Sequence, residues 1–392
     1  MKIRYMLLHA YGMGGTIRTV VNQANAMAEA GHDVEIVSVV RRRDTPQFGI
    51  DGRVRLSALV DQRGGVASDS LARKVWRRAR GKIVPYGEFA AGYFTERVER
   101  AVIEYVSSLD DGILVTTRPA LNLIAARRAS TEVVRVAQEH MNLAAYPHTV
   151  REQIARHYGC FDAVAVLTET SQAEYRALLD DTPIVRIPNA VHLAGRRHSD
   201  QTNPVVIAAG RLVPQKGFDM LIAAFAAVAP DFPDWRLHVF GTGPSKERLR
   251  ARIEEHRLGG RARLMGRSDR IHEELAEASV YALSSRIEGL PMAMIEAMGH
   301  ALAVAAFDCP TGPGDVLTPG EDGLLVPPRD VDALAGALRR LMGDRDLRLR
   351  LGAGAARTAG DYTPEMVMPM WEDLFAALAA GDPLPTGRRP AR

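Results

Sequence analysis

The stretch Arg286-Ile287-Glu288-Gly289-Leu290-Pro291-Met292-Ala293-Met294-Ile295-Glu296-Ala297-Met298 decides how the rest of the chain is read. Two glutamates flank Gly289-Leu290-Pro291, which opens a helix. Proline suits the first helical position, where its missing N–H would have had no partner in any case. The spacing therefore predicts Glu288 in the loop before the helix and Glu296 on its second turn, about 7.5 Å of rise beyond Pro291. The amides of Gly289 and Leu290 should point out of the same mouth. A ligand with hydroxyls at both ends, such as a sugar joined to a nucleoside ribose, could accept from those amides and donate to both carboxylates. On spacing alone the pair also fits a solvated first-turn glutamate and a surface glutamate favoured by the helix dipole.

Working outward, the 392 residues leave room for two domains, and the 46% apolar content can fill two cores. A net charge of +3 with 25% charged residues does not fit a nucleic-acid binder. Cys160 and Cys309 lie far apart, with no C-x-x-C and no Cys/His cluster at metal spacing, which fits a reducing cytosol. The apolar run after Met1 is far shorter than a signal peptide or membrane span, and no internal run is long enough either. The expectation is a cytoplasmic protein, at most peripheral on the inner face of the membrane.

The first half begins as a βαβ unit. Ile3 to Leu8 reads as a buried strand, Gly12-Met13-Gly14-Gly15 as a tight turn, Ile17 to Ala30 as an amphipathic helix, and Val34 to Val39 as the next strand. The turn lets backbone approach a ligand, and the helix N-terminus favours anions; an empty tight turn fits as well. It is not a full G-x-G-x-x-G. Arg41-Arg42-Arg43 stands where a dinucleotide site would place an acid, so nicotinamide binding is disfavoured. Residues 73–82 are basic around Trp76 and could rest on an anionic membrane surface or form a solvated face. Tyr86, Phe89, Tyr93 and Phe94 fall at helix-like spacing and read as core. Further strands are Gly112 to Thr116, Val133 to Gln138, Ala163 to Leu167 and Val185 to Ala190. The strand ending at Gln138 leads into Glu139-His140, and ligands collect at the carboxyl ends of such strands. His140 is therefore a candidate to face a ligand.

The polar stretch His192 to Pro204 reads as a linker, after which Val205 to Ala209 restarts the βα series. Its strand opens onto Gly210-Arg211-Leu212-Val213-Pro214-Gln215-Lys216-Gly217. Two cations on a glycine-bounded strand-to-helix loop suit a diphosphate, with arginine as a flat fork of donors and lysine as a point charge. The loops at Gly241-Thr242-Gly243 and Gly266 also open at strand ends, and Thr311-Gly312-Pro313-Gly314 could offer amides to a sugar or phosphate. Asp330-Val331-Asp332 and Asp344-Arg345-Asp346 read as helix caps, so no metal is assigned. Thr363 to Leu378 reads as a last helix and 381–392 as a disordered tail.

Taken in order, Gly12-Met13-Gly14-Gly15, Gly210-Arg211 with Lys216-Gly217, Glu288-Gly289-Leu290-Pro291 with Glu296, and Gly320-Glu321-Asp322-Gly323-Leu324-Leu325-Val326 resemble glycosyltransferase family 4 over nearly the whole chain. The resemblance implies an α/β GT-B fold: two Rossmann-like domains with parallel sheets facing a cleft. Residues 1–191 with the returning helix 363–380 would form the acceptor domain, and 192–362 the nucleotide-sugar domain. It implies a retaining, metal-independent enzyme without cofactor, using a nucleotide sugar, most simply a UDP-sugar. Arg211 and Lys216 would hold the donor diphosphate, Glu288 a sugar hydroxyl beside the Gly289 and Leu290 amides, and Glu296 the ribose. Gly14 and Gly15 would approach the donor phosphate or the acceptor, His140 the donor sugar, and Gly243 and Gly266 the donor. The stretch Asp308 to Pro313 resembles a subgroup acting on cell-surface polymers, with a carbohydrate, polymer or lipid-linked acceptor. A small natural product as acceptor, a nucleotide-sugar epimerase and a non-catalytic sugar-binding scaffold stand as alternatives.

Overall fold

The computed structural model describes residues 1–65, 83–193 and 195–384. The basic segment 73–82 and the end of the tail, 385–392, lie outside them. The chain divides into two compact units, Met1–Pro188 with Met368–Arg392, and Asn189–Val367. The second boundary falls inside the helix Pro364–Ala380 rather than ahead of it.

In the first unit, strands β1 (Lys2–Leu7), β2 (Asp33–Arg41), β3 (Arg55–Asp61), β4 (Ile113–Thr116), β5 (Val134–Gln138), β6 (Ala163–Val166) and β7 (Ile184–Arg186) form one sheet in the order β3-β2-β1-β4-β5-β6-β7. Every pairing is parallel. Parallel strands joined by helices are covered on both faces, which is why β4 and β6 read as nearly unbroken apolar runs. The order reverses between β1 and β4, and the Gly12–Gly15 turn leaves β1 at that switch point. On one face of the sheet, Trp371 and Phe375 of the last helix pack near Tyr5 of β1, all three fully buried.

The second unit repeats the scheme. Strands β8 (Val205–Ala209), β9 (Arg236–Phe240), β10 (Ala262–Gly266), β11 (Val280–Leu283), β12 (Ala303–Phe307) and β13 (Leu324–Val326) are ordered β10-β9-β8-β11-β12-β13, all parallel. Here the switch point lies between β8 and β11, where Val280 and Tyr281 pair with Val206 and Ile207. Both loops singled out in the sequence, Gly210–Gly217 after β8 and Ser284–Pro291 after β11, leave the sheet at this point.

Two expectations are corrected, and one strand is new. Tyr86, Phe89 and Tyr93 are not core: they are 92%, 60% and 38% exposed, and only Phe94 is buried. The segment holds a short 3-10 turn, Ala91–Tyr93, and the α-helix starts only at Glu96, capped by Thr95. Pro85 and Gly87, the latter at φ +106°, interrupt any helical run before it. The helix after Glu288 begins at Met292, with Pro291 (ψ 71°) as its cap rather than its first residue. Edge strand β3 was not anticipated, because its sequence lacks a continuous apolar run.

Candidate active site

At the second switch point the loops after β8 and β11 are hydrogen-bonded to each other. Arg286 N donates to Gln215 O at 2.8 Å, Gln215 Nε2 to Ile287 O at 3.1 Å and Ser284 Oγ to Lys216 O at 3.0 Å. Arg286 adds a two-pronged pair with Asp219, Nη1 to Oδ1 at 3.0 Å and Nη2 to Oδ2 at 2.7 Å. The close approach depends on Gly217, which sits at φ +63°; a Cβ there would lie 1.9 Å from Ser284 O. Gly217→Ala should cost about 1–3 kcal/mol from the left-handed conformation alone, before the clash is relieved. Denaturant titration should show a lowered midpoint; an unchanged midpoint would mean that the loops are not clamped as described.

The clamp brings Lys216 onto Glu288: Nζ donates to Oε1 at 2.6 Å. Ser285 Oγ donates to the same oxygen at 2.5 Å, and Thr311 Oγ1 to the Glu288 carbonyl at 2.5 Å. Glu288 is buried, while Lys216 keeps some exposure. Neighbouring groups feel burial first and these charges second. Burial pushes the Cys309 thiol up to about 12, with the Glu288 charge adding and Lys216 opposing. Burial also raises the Tyr281 phenol, helped by the negative charges of both Glu288 and Glu296. Both predicted carboxylates therefore act on one buried ring at the foot of the loop. Glu296 is half-buried on the second turn of Met292–Met298.

Arg211 stands on the same loop as Lys216 and is exposed; its carbonyl accepts from Val213 N at 2.8 Å, and its guanidinium has no hydrogen bond or ion pair among the described residues. Gly243 lies against Leu212, whose carbonyl a Cβ would meet at 2.4 Å, and Leu212 N donates to Thr242 O at 2.9 Å. Gly266 ends β10 and accepts from Gly241 N at 2.7 Å. In the loop that follows, Gly289 is partly exposed and Leu290 buried; Gly312, at φ +107°, packs against Gly289 O and Pro291. The Gly312 amide is not available to a ligand as expected, since it donates to Asp315 Oδ2 at 3.2 Å. Asp330 and Asp344 cap their helices, accepting from Ala333 N and Leu347 N.

The remaining predicted residues belong to the first unit. Gly14 and Gly15 are exposed at the start of Gly15–Glu29, and nothing lies within 4 Å of a Cβ built on Gly15. His140 follows β5. Both its ring nitrogens are shielded from solvent and have no hydrogen-bond partner among the described residues. Burial, with the Arg118 charge adding, holds its pKa at about 4, so the ring is neutral near pH 7.

Next to it, the Glu139 carboxyl is buried and accepts from Asn122 Nδ2 (2.8 Å), Tyr158 Oη (2.7 Å) and Tyr146 Oη (2.9 Å). Burial outweighs these bonds and raises its pKa from 4.5 to about 7. The unfolded chain then ionises first, so stability falls as pH rises from about 4.5 through 7 and is lowest above that. Glu139→Gln should raise the melting temperature at about pH 8 and leave it nearly unchanged at about pH 5. Equal shifts at both pH values would contradict the raised pKa. Sequence reading missed Ser285 and Tyr281, and it singled out the Thr311 loop for its amides rather than for the hydroxyl that reaches Glu288; of the two missed, only Ser285, just ahead of the motif, carried a signal by position.

Comparison with known proteins bears on this geometry. Residues 195–358 match the family model described as glycosyl transferases group 1. An exopolysaccharide phosphotransferase of Streptomyces coelicolor is 35% identical over 97% of the chain, but the chain spans only 41% of that relative's length. The amylovoran biosynthesis glycosyltransferase AmsD of Erwinia amylovora is 27% identical over 68% of this chain and 77% of its own. Among solved structures, Staphylococcus aureus TarM, in complex with fondaparinux, α-GlcNAc-glycerol and UDP, superposes with a TM-score of 0.77 at 16% identity, covering 95% of this chain and 99% of its own. At that identity the likeness speaks for the fold. Two parallel-sheet Rossmann-like units, the order of their strands and the matched region together give a GT-B architecture that carries, over residues 195–358, a glycosyl transferases group 1 domain.

Proposed function

We propose that the chain transfers a hexose or N-acetylhexosamine from a UDP-sugar to a hydroxyl group during synthesis of a cell-surface polymer, with retention at the anomeric carbon and without a metal. The observation that carries this reading is the Lys216–Glu288 pair at the second switch point, with Arg211 free on the same loop. Breaking the bond between C1 and the phosphate oxygen puts an extra negative charge on the leaving diphosphate. Fixed cations stabilise that charge most where water is scarce. Arg211 and Lys216 supply them. Glu288 takes a hydroxyl of the donor sugar, and Glu296 the ribose. The acceptor oxygen forms its bond to C1 on the face the diphosphate leaves, and its proton passes to the departing phosphate oxygen. No carboxylate is then needed as covalent nucleophile. In the first unit, His140, with a ring neutral near pH 7, and the exposed Gly14 and Gly15 are the candidates for ligand contact.

The polymer class is supported by relatives named for exopolysaccharide and amylovoran synthesis, and by a poly(ribitol-phosphate) α-N-acetylglucosaminyltransferase of Staphylococcus aureus that is 27% identical over 55% of the chain. The UDP donor is supported by the UDP bound in the TarM structure. The Streptomyces relative's name sets the competing reading, transfer of a sugar phosphate. The two break different bonds. Glycosyl transfer releases a nucleoside diphosphate; sugar-phosphate transfer cleaves the phosphoanhydride and releases a nucleoside monophosphate. Incubating the chain with UDP-, GDP- and ADP-sugars and separating the nucleotides should show UDP. UMP would overturn the reading in favour of phosphotransfer, and an epimerised donor with no nucleotide released would do so in favour of an epimerase.

A further inference from the structure

The first unit presents a charged and aromatic surface that the donor chemistry leaves unused. We propose that Arg41, Arg42 and Arg43, together with the rings of Phe89 and Tyr93, bind the acceptor, and that the acceptor is an anionic glycan whose repeats carry phosphodiester or carboxylate groups. This rests on the glycosyl-transfer reading above and names its second substrate.

Strand β2 ends at Arg41, so the triplet leaves the sheet at its carboxyl edge, next to β1, where ligands of such sheets collect. The Arg41 guanidinium lies over the Tyr11 ring at 5.0 Å and donates to Asp44 O at 2.8 Å. The Arg42 guanidinium lies over the Tyr93 ring at 4.3 Å and donates to Gln62 Oε1 at 2.9 Å. Arg43 is exposed. Among the described residues none of the three is in an ion pair. The acids close by, Asp44 and Asp61, are both held by Arg63, at 2.7 and 2.6 Å. The field of the cluster is felt by His9: burial lowers its pKa, and the charges of Arg42 and Arg43 lower it further. Arg41 shares the charge of Asp61, its register partner on β3, but among the described residues no carboxylate pairs with Arg42 or Arg43, and an anion from outside would relieve their repulsion. A guanidinium stacked on a ring is held in place while the donors at its edge remain open, and that fork matches phosphate and carboxylate oxygens in pairs.

The rings supply the other half of a glycan site, since flat apolar faces stack against the C–H faces of sugars. Phe89 and Tyr93 are exposed on one segment, yet that segment is held firmly. The buried Glu88 carboxylate accepts from Ala90 N at 2.6 Å and from Arg118 at 2.9 Å. Thr149 Oγ1 donates to Tyr86 O at 3.4 Å. The Phe89 ring packs on Tyr146 at 5.9 Å between centroids, and the Tyr146 hydroxyl donates to Glu139, the residue before His140. The surface is thus joined through Tyr146 to Glu139, the chain neighbour of the candidate histidine.

The test is equilibrium binding by the full chain, without donor, to fluorescently labelled poly(glycerol phosphate) and polygalacturonate. Neutral dextran and phosphatidylglycerol vesicles are run beside them. At least one anionic polymer should bind, more weakly as salt is raised, with dextran inert. Arg43→Glu, at an exposed position whose side chain holds nothing in the fold, should weaken binding about tenfold or more, and Arg42→Ala and Tyr93→Ala should weaken it as well. Melting curves of the variants check that each is folded. Failure of both anionic polymers to bind, equal binding of dextran, indifference to Arg43→Glu, or capture by vesicles but by neither polymer would each overturn the proposal. Because no turnover is read, a missing transferase activity would not erase a positive result, and loss of this surface would leave the donor reading intact.

Discussion

Lys216→Ala is expected to lower the rate constant for donor turnover by roughly a hundredfold to a thousandfold, the range seen when one preorganised donor to a developing negative charge is removed. The expectation follows from position. Lys216 is fixed by the Gly210–Gly217 loop, whose geometry is locked by the hydrogen bonds to the Ser284–Pro291 loop, and its ammonium already sits 2.6 Å from Glu288. A cation held on a locked loop needs little reorganisation when charge develops beside it. The variant also leaves Glu288 without its cation, so part of the loss could come through the fold. Lys216→Arg separates the two: it keeps a charge for Glu288 but moves it, and should restore the melting temperature while recovering only part of the rate. A loss confined to KM would mean that the lysine binds ground state and transition state alike. Near-normal turnover in Lys216→Ala would remove it from the mechanism.

The second large effect is expected at Glu288. Its carboxylate accepts from both Lys216 and Ser285 and is 6% exposed. On the proposed reading Glu288→Ala removes a charged acceptor for a sugar hydroxyl; it also strands a half-buried ammonium, so turnover should fall about a hundredfold or more, with a lower melting temperature. Glu288→Gln keeps the shape and an oxygen for Ser285, and should fold better than the alanine variant while still losing much of the rate. If the alanine variant folds and turns over the donor normally, the carboxylate has no part in donor recognition.

How far this was legible in the sequence depended on the kind of signal. The two sheets were readable because parallel strands buried on both faces leave short unbroken apolar runs, as in Ala163–Val166 and Val280–Leu283. Edge strand Arg55–Asp61 was not, since half its residues face solvent. The Lys216–Glu288 pair could be guessed as two loops of one site, but its partner Ser285 and the Arg286–Asp219 clamp arise from packing between distant segments. Tyr86, Phe89 and Tyr93 misled because spacing cannot tell a buried aromatic from an exposed one. Pro85 and Gly87 break the helix that spacing would otherwise have built. No pattern in the sequence marks Glu139 as a buried carboxyl, because its three donors come from three other segments.

The central claim is that protein cations, Lys216 foremost, neutralise the leaving diphosphate. It is tested most directly by following UDP release from the donor that the sugar-nucleotide panel identifies, in excess EDTA, for the wild-type chain and Lys216→Ala side by side. The account predicts that wild-type release continues undiminished in the chelator and that the lysine variant is slow with or without added metal. Release that stops in EDTA and returns with manganese, at the same rate in both proteins, would contradict it.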